Sequence, residues 1–447
     1  MRPNILFILV DGLRSDQCFG VDKTSHTPNI DFLKENGISF SQAISSADGT
    51  ILSLNSIING MYPNSTGTRS QKIIFKENNL IRFLSDYNYN IYGFLPKLTS
   101  FQSFIEICAN KNITYESGPP TVPLSKTGKT ILDFLDSKTS EPWFYFVHIF
   151  DLHALREGSN PDGLNDFDSE EFGHTKYERV VSSIDFWIGK ILKKIDLKNT
   201  IVILTADHGE KIPVDDKDIT KFEPKLESVT KLGRNALPKF SHNLGGKFLY
   251  GFRKSVASFK INQANKGLSS YQKRSRLPHF SMSLYDEIVR VPLIFSGFGI
   301  STKSITKQVG SVDIFPTIAD LLKQPLTIKL DGNSLFPFFN NRVIPENPIY
   351  LHTMPHQEMK NEDSVGIRTS THKFFRHARK PGKNTHLFNL ENDPFENFNI
   401  SDDFPNIISN MEEILQKYNE DESVTQNEVL DEEEEKISKE LKKLGYM

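Results

Sequence analysis

Long apolar runs without polar alternation recur along the chain and predict buried strands. The segments NILFILV (4–10), WFYFVHIFD (143–151) and TIVILTADHGE (200–210) each contain a run of large or β-branched apolar residues. The last two end in polar residues, and Asp11 follows the first. Strands that are buried on both faces of a parallel sheet have this continuous apolar pattern. The segment VRVPLIFSG (289–297) predicts a further strand.

Segments with helical spacing of apolar residues lie between these strands. TPNIDFLKENG (27–37) has Pro28 where a first helical turn would begin and Gly37 where the helix would end. YERVVSSIDFWIGKILKKI (177–195) and VDIFPTIADLLK (312–323) have the same helical spacing. The alternation of strands and helices predicts an α/β fold with a mostly parallel central sheet.

The same pattern predicts the domain organisation. We expect a large α/β domain over residues 1–345 and a smaller C-terminal α+β subdomain over 346–405. In the subdomain, VGIRTSTHKFFR (365–376) and LFNLEND (387–393) predict short antiparallel strands. Residues 406–447 are acidic overall and predict a charged helical tail.

A basic insertion at about 211–275 interrupts the α/β rhythm. Between Ile219 and Arg276 there are 13 lysines and arginines against two glutamates, a net charge of +11. A solvated insertion is the plainest interpretation of such a segment. The alternative is a cap that attracts an anionic substrate or makes peripheral contact with a membrane surface.

Composition excludes several classes of protein. The 447 residues are 37% hydrophobic and 24% charged, with a formal net charge of −3, which is unlike a protein that coats nucleic acid. We therefore expect no nucleic-acid partner. The two cysteines, Cys18 and Cys108, form no CxxC pair, so we expect a cytoplasmic protein without a disulfide framework. The apolar run Ile5–Val10 is too short for a signal peptide or a transmembrane segment.

Candidate chemistry lies where two predicted strands end. Asp11 follows the first strand, and Asp207 and His208 follow another. Ligands of parallel α/β sheets bind at this edge, and two carboxylates with an imidazole suit Mg²⁺, Mn²⁺ or Zn²⁺. Thr50, at the start of an apolar helical pattern, could supply a metal-bound hydroxyl that the helix N-terminus favours as an anion. Taken singly, these residues could also be ordinary turns and a helix N-cap.

A series of motifs in this order resembles the sulfatase family of the alkaline phosphatase superfamily. The resemblance implies an alkaline phosphatase-like fold over roughly residues 1–400. The motifs are PNILFILVDGLRSD (3–16), TPNIDFLKENGISFSQAIS (27–45), LNSIINGMYP (54–63), FVHIFDLHA (146–154), IVILTADHGE (201–210), SLYDEIVRVPLIFSG (283–297), VDIFPTIADLL (312–322), LDGNSL (330–335), VGIRTSTHKFFR (365–376) and LFNLENDPFE (387–396).

The nucleophile motif departs from the sulfatase pattern. Sulfatases have Cys/Ser-x-Pro-x-Arg, whose first residue is converted to formylglycine, whereas the family's spacing from Gly60 leads here to Thr50 and the segment TILSL. Formylglycine therefore cannot be installed at this position. The family's paired aspartates are also reduced to Asp11 followed by Gly12.

With a threonine in this position, the site resembles that of phosphoethanolamine and phosphoglycerol transferases and of nucleotide pyrophosphatase-type phosphodiesterases. The resemblance implies that Asp11, Thr50, Asp207 and His208 hold one divalent cation (Mn, Mg, Ca or Zn), and it leaves a second ion open. It also implies that Thr50 attacks phosphorus.

Further residues are candidates for catalysis or substrate binding. The resemblance assigns His153 and His279 to charge stabilisation or proton transfer during catalysis, and it assigns His148, Asp151 and Lys97 to substrate binding. Ligation of a second metal by the histidines of HIFDLH is the alternative.

Three functional hypotheses follow. The leading one is a metal-dependent hydrolase or transferase of a phosphate ester, a phosphodiester above all, whose substrate is a small molecule or carries a glycan or lipid head group. The second is a sulfate ester hydrolase that works without formylglycine. The third is a catalytically degenerate member that binds a glycan or an anionic polymer.

Overall fold

A computed structural model of the protein describes residues 2–68, 73–107, 113–116, 123–137, 140–155, 164–212, 265–276, 283–353 and 363–419. Predictions on His279, on most of the basic insertion and on the acidic segment after residue 419 lie outside the described residues. Within the described ranges, no helix combines the length and apolar character needed to cross a membrane.

Nine strands of the described residues form the central sheet, in the order β4-β3-β5-β1-β6-β7-β2-β8, with β9 beside β2. β7 runs antiparallel to both β6 and β2, and the other pairings of this sheet are parallel. The predicted mostly parallel sheet is confirmed. The strands are β1 (Asn4–Val10), β2 (Gly37–Ile44), β3 (Asn90–Pro96), β4 (Ile113–Tyr115), β5 (Trp143–Ile149), β6 (Thr200–Thr205), β7 (Arg290–Gly297), β8 (Lys303–Ile305) and β9 (Val309–Gly310).

β1 lies between β5 and β6, and all seven of its residues are buried. Neighbouring strands on both sides and packing on both faces favour apolar side chains, which explains the continuous apolar run from Ile5 to Val10. In this register Leu9 is paired with His148 of β5 on one side and with Thr205 of β6 on the other.

Helices cover the sheet, and their starts are fixed by specific hydrogen bonds. Asp185 of the long helix α8 accepts the backbone N–H groups of Asn29 and Ile30 at 3.1 and 2.7 Å, so it holds the first turn of α2. The helices are α1 (Asp16–Phe19), α2 (Pro28–Glu35), α3 (Thr50–Asn59), α4 (Pro63–Thr66), α5 (Leu80–Asp86), α6 (Gln102–Ile107), α7 (Leu124–Asp136), α8 (Lys176–Leu192), α9 (Ser270–Ser275), α10 (Asp286–Val289), α11 (Ile314–Leu321), α12 (Phe336–Phe339) and α13 (Pro405–Asn419).

A second, antiparallel sheet forms the C-terminal subdomain, as the sequence predicts. Its strands pair in chain order, and Met411 and Leu415 of α13 are buried in its apolar core. The strands are β10 (Ile349–His352), β11 (Ser364–Arg368), β12 (His372–His377) and β13 (His386–Asn389).

Candidate active site

The candidate residues lie at or after the ends of four strands, at one edge of the central sheet. Asp11 follows β1, His148 is the next-to-last residue of β5, and Asp207 lies just beyond β6. Because β7 is antiparallel to both of its neighbours, β2 points in the same direction as β6. The chain that leaves β2 therefore reaches this same edge, where α3 begins at Thr50.

Thr50 is the first helical residue of α3, and its side chain does not cap the helix. The N-cap is Gly49, and all ten residues of α3 are buried. Thr50 Oγ1 donates to Asp11 Oδ2 at 3.0 Å and lies 3.4 Å from His208 Nε2. The hydroxyl is thus held between a carboxylate and an imidazole at the positive end of a helix dipole.

Helix α3 is anchored to the segment that precedes it. Ser45 Oγ lies 2.9 Å from Ser53 Oγ, and Ser46 Oγ donates to Ser56 Oγ at 2.7 Å. Because these hydroxyl pairs are buried, solvent does not compete for them, and they fix the start of the helix relative to β2.

The hydrogen bonds of Asp207 and His208 orient both side chains. Asp207 Oδ1 accepts the backbone N–H of Gly12 at 3.1 Å and that of His208 at 2.8 Å. His208 Nδ1 lies 2.7 Å from the carbonyl oxygen of Gly209. A carbonyl oxygen can only accept, so Nδ1 carries the proton and Nε2 keeps a lone pair, as a metal-binding imidazole requires.

Burial shifts the pKa values of the groups at this edge. Desolvation, reinforced by the neighbouring Asp11, raises the pKa of Asp207 to about 6, although His208 opposes the shift. Desolvation also lowers the pKa of His148 to about 4 against the opposing effect of Asp11. The imidazole of His148 is therefore neutral near pH 7, which is the form that binds a metal ion.

The donor atoms fit a divalent cation. Asp11, His148 and Asp207 each offer one ligand atom, and these three atoms lie within 4.8 Å of one another. All three side chains are fully buried. Two carboxylates that are close together in a dry site repel each other, and a cation removes that repulsion.

His153, Asp151 and Lys97 have different surroundings. His153 is buried, and its Nδ1 lies 3.8 Å from Asp11 Oδ1. Asp151 Oδ1 accepts the backbone N–H of Leu124 at 2.9 Å, and burial raises the pKa of this carboxyl to about 7. Lys97 follows β3 with an exposed side chain, unlike the buried groups around Asp11. The roles predicted for these residues and for His279 stay predictions.

Tyr177 and Arg14 support the site and are not among the residues predicted from the sequence. Tyr177 Oη donates to the carbonyl oxygen of Gly12 at 2.6 Å and accepts the backbone N–H of Arg14 at 3.0 Å. Arg14 is buried, and its Nη2 donates to Tyr271 Oη at 2.9 Å. A tyrosine at the start of an amphipathic helix is a usual core residue, so the sequence contains no signal for this contact.

Solved structures share the fold over nearly the whole chain. Phosphonate monoester hydrolase of Agrobacterium radiobacter is 14% identical with a TM-score of 0.64, and the match covers 94% of this chain and 96% of that one. A 2-O glycosaminoglycan sulfatase is 18% identical with a TM-score of 0.63, and the match covers 94% and 92% of the two chains. These similarities confirm the alkaline phosphatase-like fold.

Curated relatives match shorter parts of the chain. Arylsulfatase K of Rattus norvegicus is 29% identical over 143 residues, which is 30% of this chain, and the chain spans about 25% of the length of that protein. An uncharacterized Haemophilus influenzae protein is 26% identical over 210 residues, which are 46% of this chain and 32% of that one.

Family models extend the similarity over most of the chain. The model described as N-sulphoglucosamine sulphohydrolase, C-terminal, matches residues 280–442. The model described as Sulfatase matches residues 3–324, which contain every strand of the central sheet and the residues around Asp11 and Thr50. The chain belongs to the sulfatase family.

Proposed function

We propose that this protein is a metal-dependent enzyme that hydrolyses or transfers a phosphate ester, a phosphodiester above all, with Thr50 as the nucleophile. The observation that carries the proposal is the position of Thr50 Oγ1, 3.0 Å from Asp11 Oδ2 and 3.4 Å from His208 Nε2 at the start of a buried helix. Asp11, Asp207 and His208 would hold the cation with Thr50. A divalent cation supplies charge stabilisation and lowers the pKa of a hydroxyl that it binds.

The chain's own residues account for the remaining steps. The proton of Thr50 passes to Asp11 Oδ2, which already accepts its hydrogen bond, while Oγ1 forms a bond to phosphorus and the bond to the leaving alcohol breaks. Water or an acceptor alcohol then attacks the phosphothreonine, and the P–Oγ1 bond breaks. His153, whose Nδ1 lies 3.8 Å from Asp11 Oδ1, would protonate the leaving oxygen.

Threonine chemistry favours phosphorus over sulfur. Formylglycine is an aldehyde whose hydrate can release sulfate by elimination, and a threonine ester has no such route. A phosphothreonine is instead resolved by a second in-line attack. The fold neighbours include a phosphonate monoester hydrolase, so the architecture is compatible with attack on phosphorus.

Sulfate ester hydrolysis is the second candidate. Membership of the sulfatase family and the similarity to arylsulfatase K favour it. Sulfated glycans are among the named ligands of the structural neighbours, one of which is described in complex with D-glucosamine-2-N,6-O-disulfate. We accordingly rank an ester carried by a glycan as the first substrate class and an ester carried by a lipid head group as the second.

A substrate panel tests both candidates. Turnover of bis-p-nitrophenyl phosphate, p-nitrophenyl phosphate and p-nitrophenyl sulfate would be measured with Mn²⁺, Mg²⁺, Ca²⁺ or Zn²⁺. We expect the phosphodiester to be the best substrate and the Thr50→Ala variant to be inactive. A preference for the sulfate ester would favour the second candidate. Unchanged turnover by the Thr50→Ala variant would contradict the nucleophile, and metal binding without turnover of any ester would indicate a degenerate member.

A further inference from the structure

We propose that His148 is a direct ligand of the cation and takes the place of the second aspartate that is absent at position 12. This inference rests on the proposed function, because it concerns the cation of that same site. It assigns to His148 a role other than substrate binding. It also raises the number of nitrogen ligands of the cation from one, His208, to two.

The environment of His148 requires a partner that the described protein atoms do not provide. The side chain is 0% exposed, and neither Nδ1 nor Nε2 has a hydrogen-bond partner among the described residues. Its ring packs among the aromatic rings of Phe101 and Phe150, each with a centroid 5.5 Å away. A buried imidazole without a hydrogen bond is unfavourable, and metal ligation would satisfy it.

Two carboxylates lie near His148. Its Nε2 lies 4.0 Å from Asp11 Oδ2, and a ligand atom of Asp207 completes the group within 4.8 Å. An ion that sits among these three atoms would draw each of them inward by a small side-chain movement.

Position 12 cannot easily carry the missing carboxylate. Gly12 has φ of 71°, in the left-handed region that other residues rarely adopt. Its backbone N–H binds Asp207 Oδ1 at 3.1 Å, which ties this conformation to the site. The neighbouring strand β5 offers a replacement ligand, His148. The β1–β5 register pairs His148 with Leu9, which lies two residues before Asp11 in the sequence.

The resulting donor set has consequences for metal preference. Asp11 and Asp207 supply oxygen, His148 and His208 supply nitrogen, and Thr50 supplies a hydroxyl. Imidazole ligands favour Zn²⁺, whereas Ca²⁺ prefers oxygen ligands and a larger coordination number. We therefore expect Zn²⁺ to bind more tightly than Ca²⁺.

Metal binding by the full chain tests the role of His148 without an activity assay. Zn²⁺ affinity would be measured by calorimetry on chelator-treated protein, and the number of imidazole ligands by Zn K-edge X-ray absorption. We expect two imidazoles in the wild type and one in His148→Ala, with Zn²⁺ affinity at least ~10-fold weaker. His148→Asp replaces a nitrogen ligand by an oxygen ligand, so it should lower the ratio of Zn²⁺ affinity to Ca²⁺ affinity.

Two further variants keep the test decisive. His377 is another fully buried histidine, in β12 of the second sheet, so His377→Ala controls for the general effect of removing a buried imidazole and should leave Zn²⁺ affinity unchanged. His148→Gln keeps most of the side-chain volume, so it should fold even if His148→Ala does not. Its X-ray absorption spectrum should show one imidazole ligand fewer than that of the wild type.

The inference is overturned if the wild type shows fewer than two imidazoles or if both His148 variants bind Zn²⁺ as tightly as the wild type. Failure of the proposed function has a different signature. Normal turnover of phosphate esters by a Thr50 variant, together with loss of Zn²⁺ in His148→Ala, would reject the threonine nucleophile and leave the role of His148 in place.

Discussion

Thr50 Oγ1 donates a 3.0 Å hydrogen bond to Asp11 Oδ2, although 39 positions separate the two residues along the chain. The contact joins the end of β1 to the first turn of α3, and both partners are buried. Because Gly49 caps α3, the hydroxyl of Thr50 is available to Asp11 rather than committed to the helix. A structural N-cap is therefore not the role of this threonine.

Paired substitutions at Thr50 separate the hydroxyl from the shape of the side chain. Thr50→Val keeps the volume and removes the oxygen, so we expect phosphate ester turnover to fall by about 10³-fold or more, as for other nucleophiles. Thr50→Ser keeps an oxygen and should retain measurable turnover. Acid quenching during turnover, followed by mass spectrometry, should find one phosphoryl group on Thr50 in the wild type.

The valine variant also provides its own control. Thr50→Val should remain folded, because its methyl group has a size similar to the hydroxyl and the other buried residues of α3 keep their packing. Similar turnover by the valine and wild-type proteins, or a phosphoryl group on a different residue, would contradict the nucleophile.

Gly209→Ala tests how precisely His208 is positioned. A Cβ atom at Gly209 would lie 2.2 Å from the backbone oxygen of Glu287, and the N–H of Gly209 donates to Ile288 at 2.6 Å. Backbone atoms cannot rotate away as a flexible side chain can, so the turn that carries His208 must shift. We expect Mn²⁺ affinity, measured by calorimetry, to weaken by about 10-fold or more.

Gly299→Ala is a suitable control for Gly209→Ala. Gly299 has φ of 73° and nothing within 4 Å of an added Cβ, so its substitution costs only backbone strain of about 1 kcal/mol. Equal Mn²⁺ affinities in the Gly209 and Gly299 variants would show that the turn tolerates the shift.

Much of the fold could be predicted from the apolar pattern alone. Strands buried on both faces carry mainly apolar side chains, so β1, β5 and β6 are visible as apolar runs. The strand at 290–297 was also predictable, but its antiparallel direction was not, because strand direction depends on the connections and not on local composition.

The candidate site could be predicted only in part. Asp11 and Asp207 follow apolar strands, and the edge of the sheet where strands end is a general feature of α/β proteins. His148 lies inside β5, where a histidine is usually a core residue, and its proximity to Asp11 depends on the register between β1 and β5. The support from Tyr177 depends in the same way on how α8 packs.

A buried ion cluster links the second sheet to α10, and Lys373→Met tests its contribution to stability. Lys373 is fully buried, and its Nζ lies 2.5 Å from Asp286 Oδ1 and 2.8 Å from Glu396 Oε1. Removing the cation leaves the buried carboxyl group of Glu396 close to the half-buried carboxyl group of Asp286. We expect a loss of about 3–5 kcal/mol in the free energy of unfolding, measured with urea.

Removing one of the acids should recover part of this loss. Asp286 keeps its contact with Arg368 at 2.7 Å, so Glu396 is the group that Lys373→Met leaves without a cation. The double variant Lys373→Met/Glu396→Gln should therefore be more stable than Lys373→Met alone. The exposed Lys380→Met is the matched control and should change stability by less than about 0.5 kcal/mol. A double variant no more stable than Lys373→Met would contradict a role for charge pairing.

Asp313 should make the stability of the fold depend on pH between about 4 and 6. Both carboxylate oxygens accept backbone N–H groups, from Gly310 and Asn333 at 2.7 Å, yet burial raises the pKa of this carboxyl to about 6. The folded state then binds the proton more tightly than the unfolded chain, so the contribution of Asp313 is greatest below pH 4. It is lost as the pH rises through 6, by about 1.4 kcal/mol for each unit of pKa shift.

The Asp313→Asn variant isolates this contribution from the other titrating groups. Asparagine cannot ionise, so its contribution does not depend on pH. We therefore expect the wild type to lose unfolding free energy relative to the variant as the pH rises from about 4 to 6. Asp320 is exposed and lies in α11, the helix that follows Asp313, so the unfolding free energy of Asp320→Asn should change with pH as that of the wild type does. A constant difference between the wild type and Asp313→Asn from pH 4 to pH 7 would mean that the two N–H groups hold the carboxyl ionised in spite of its burial.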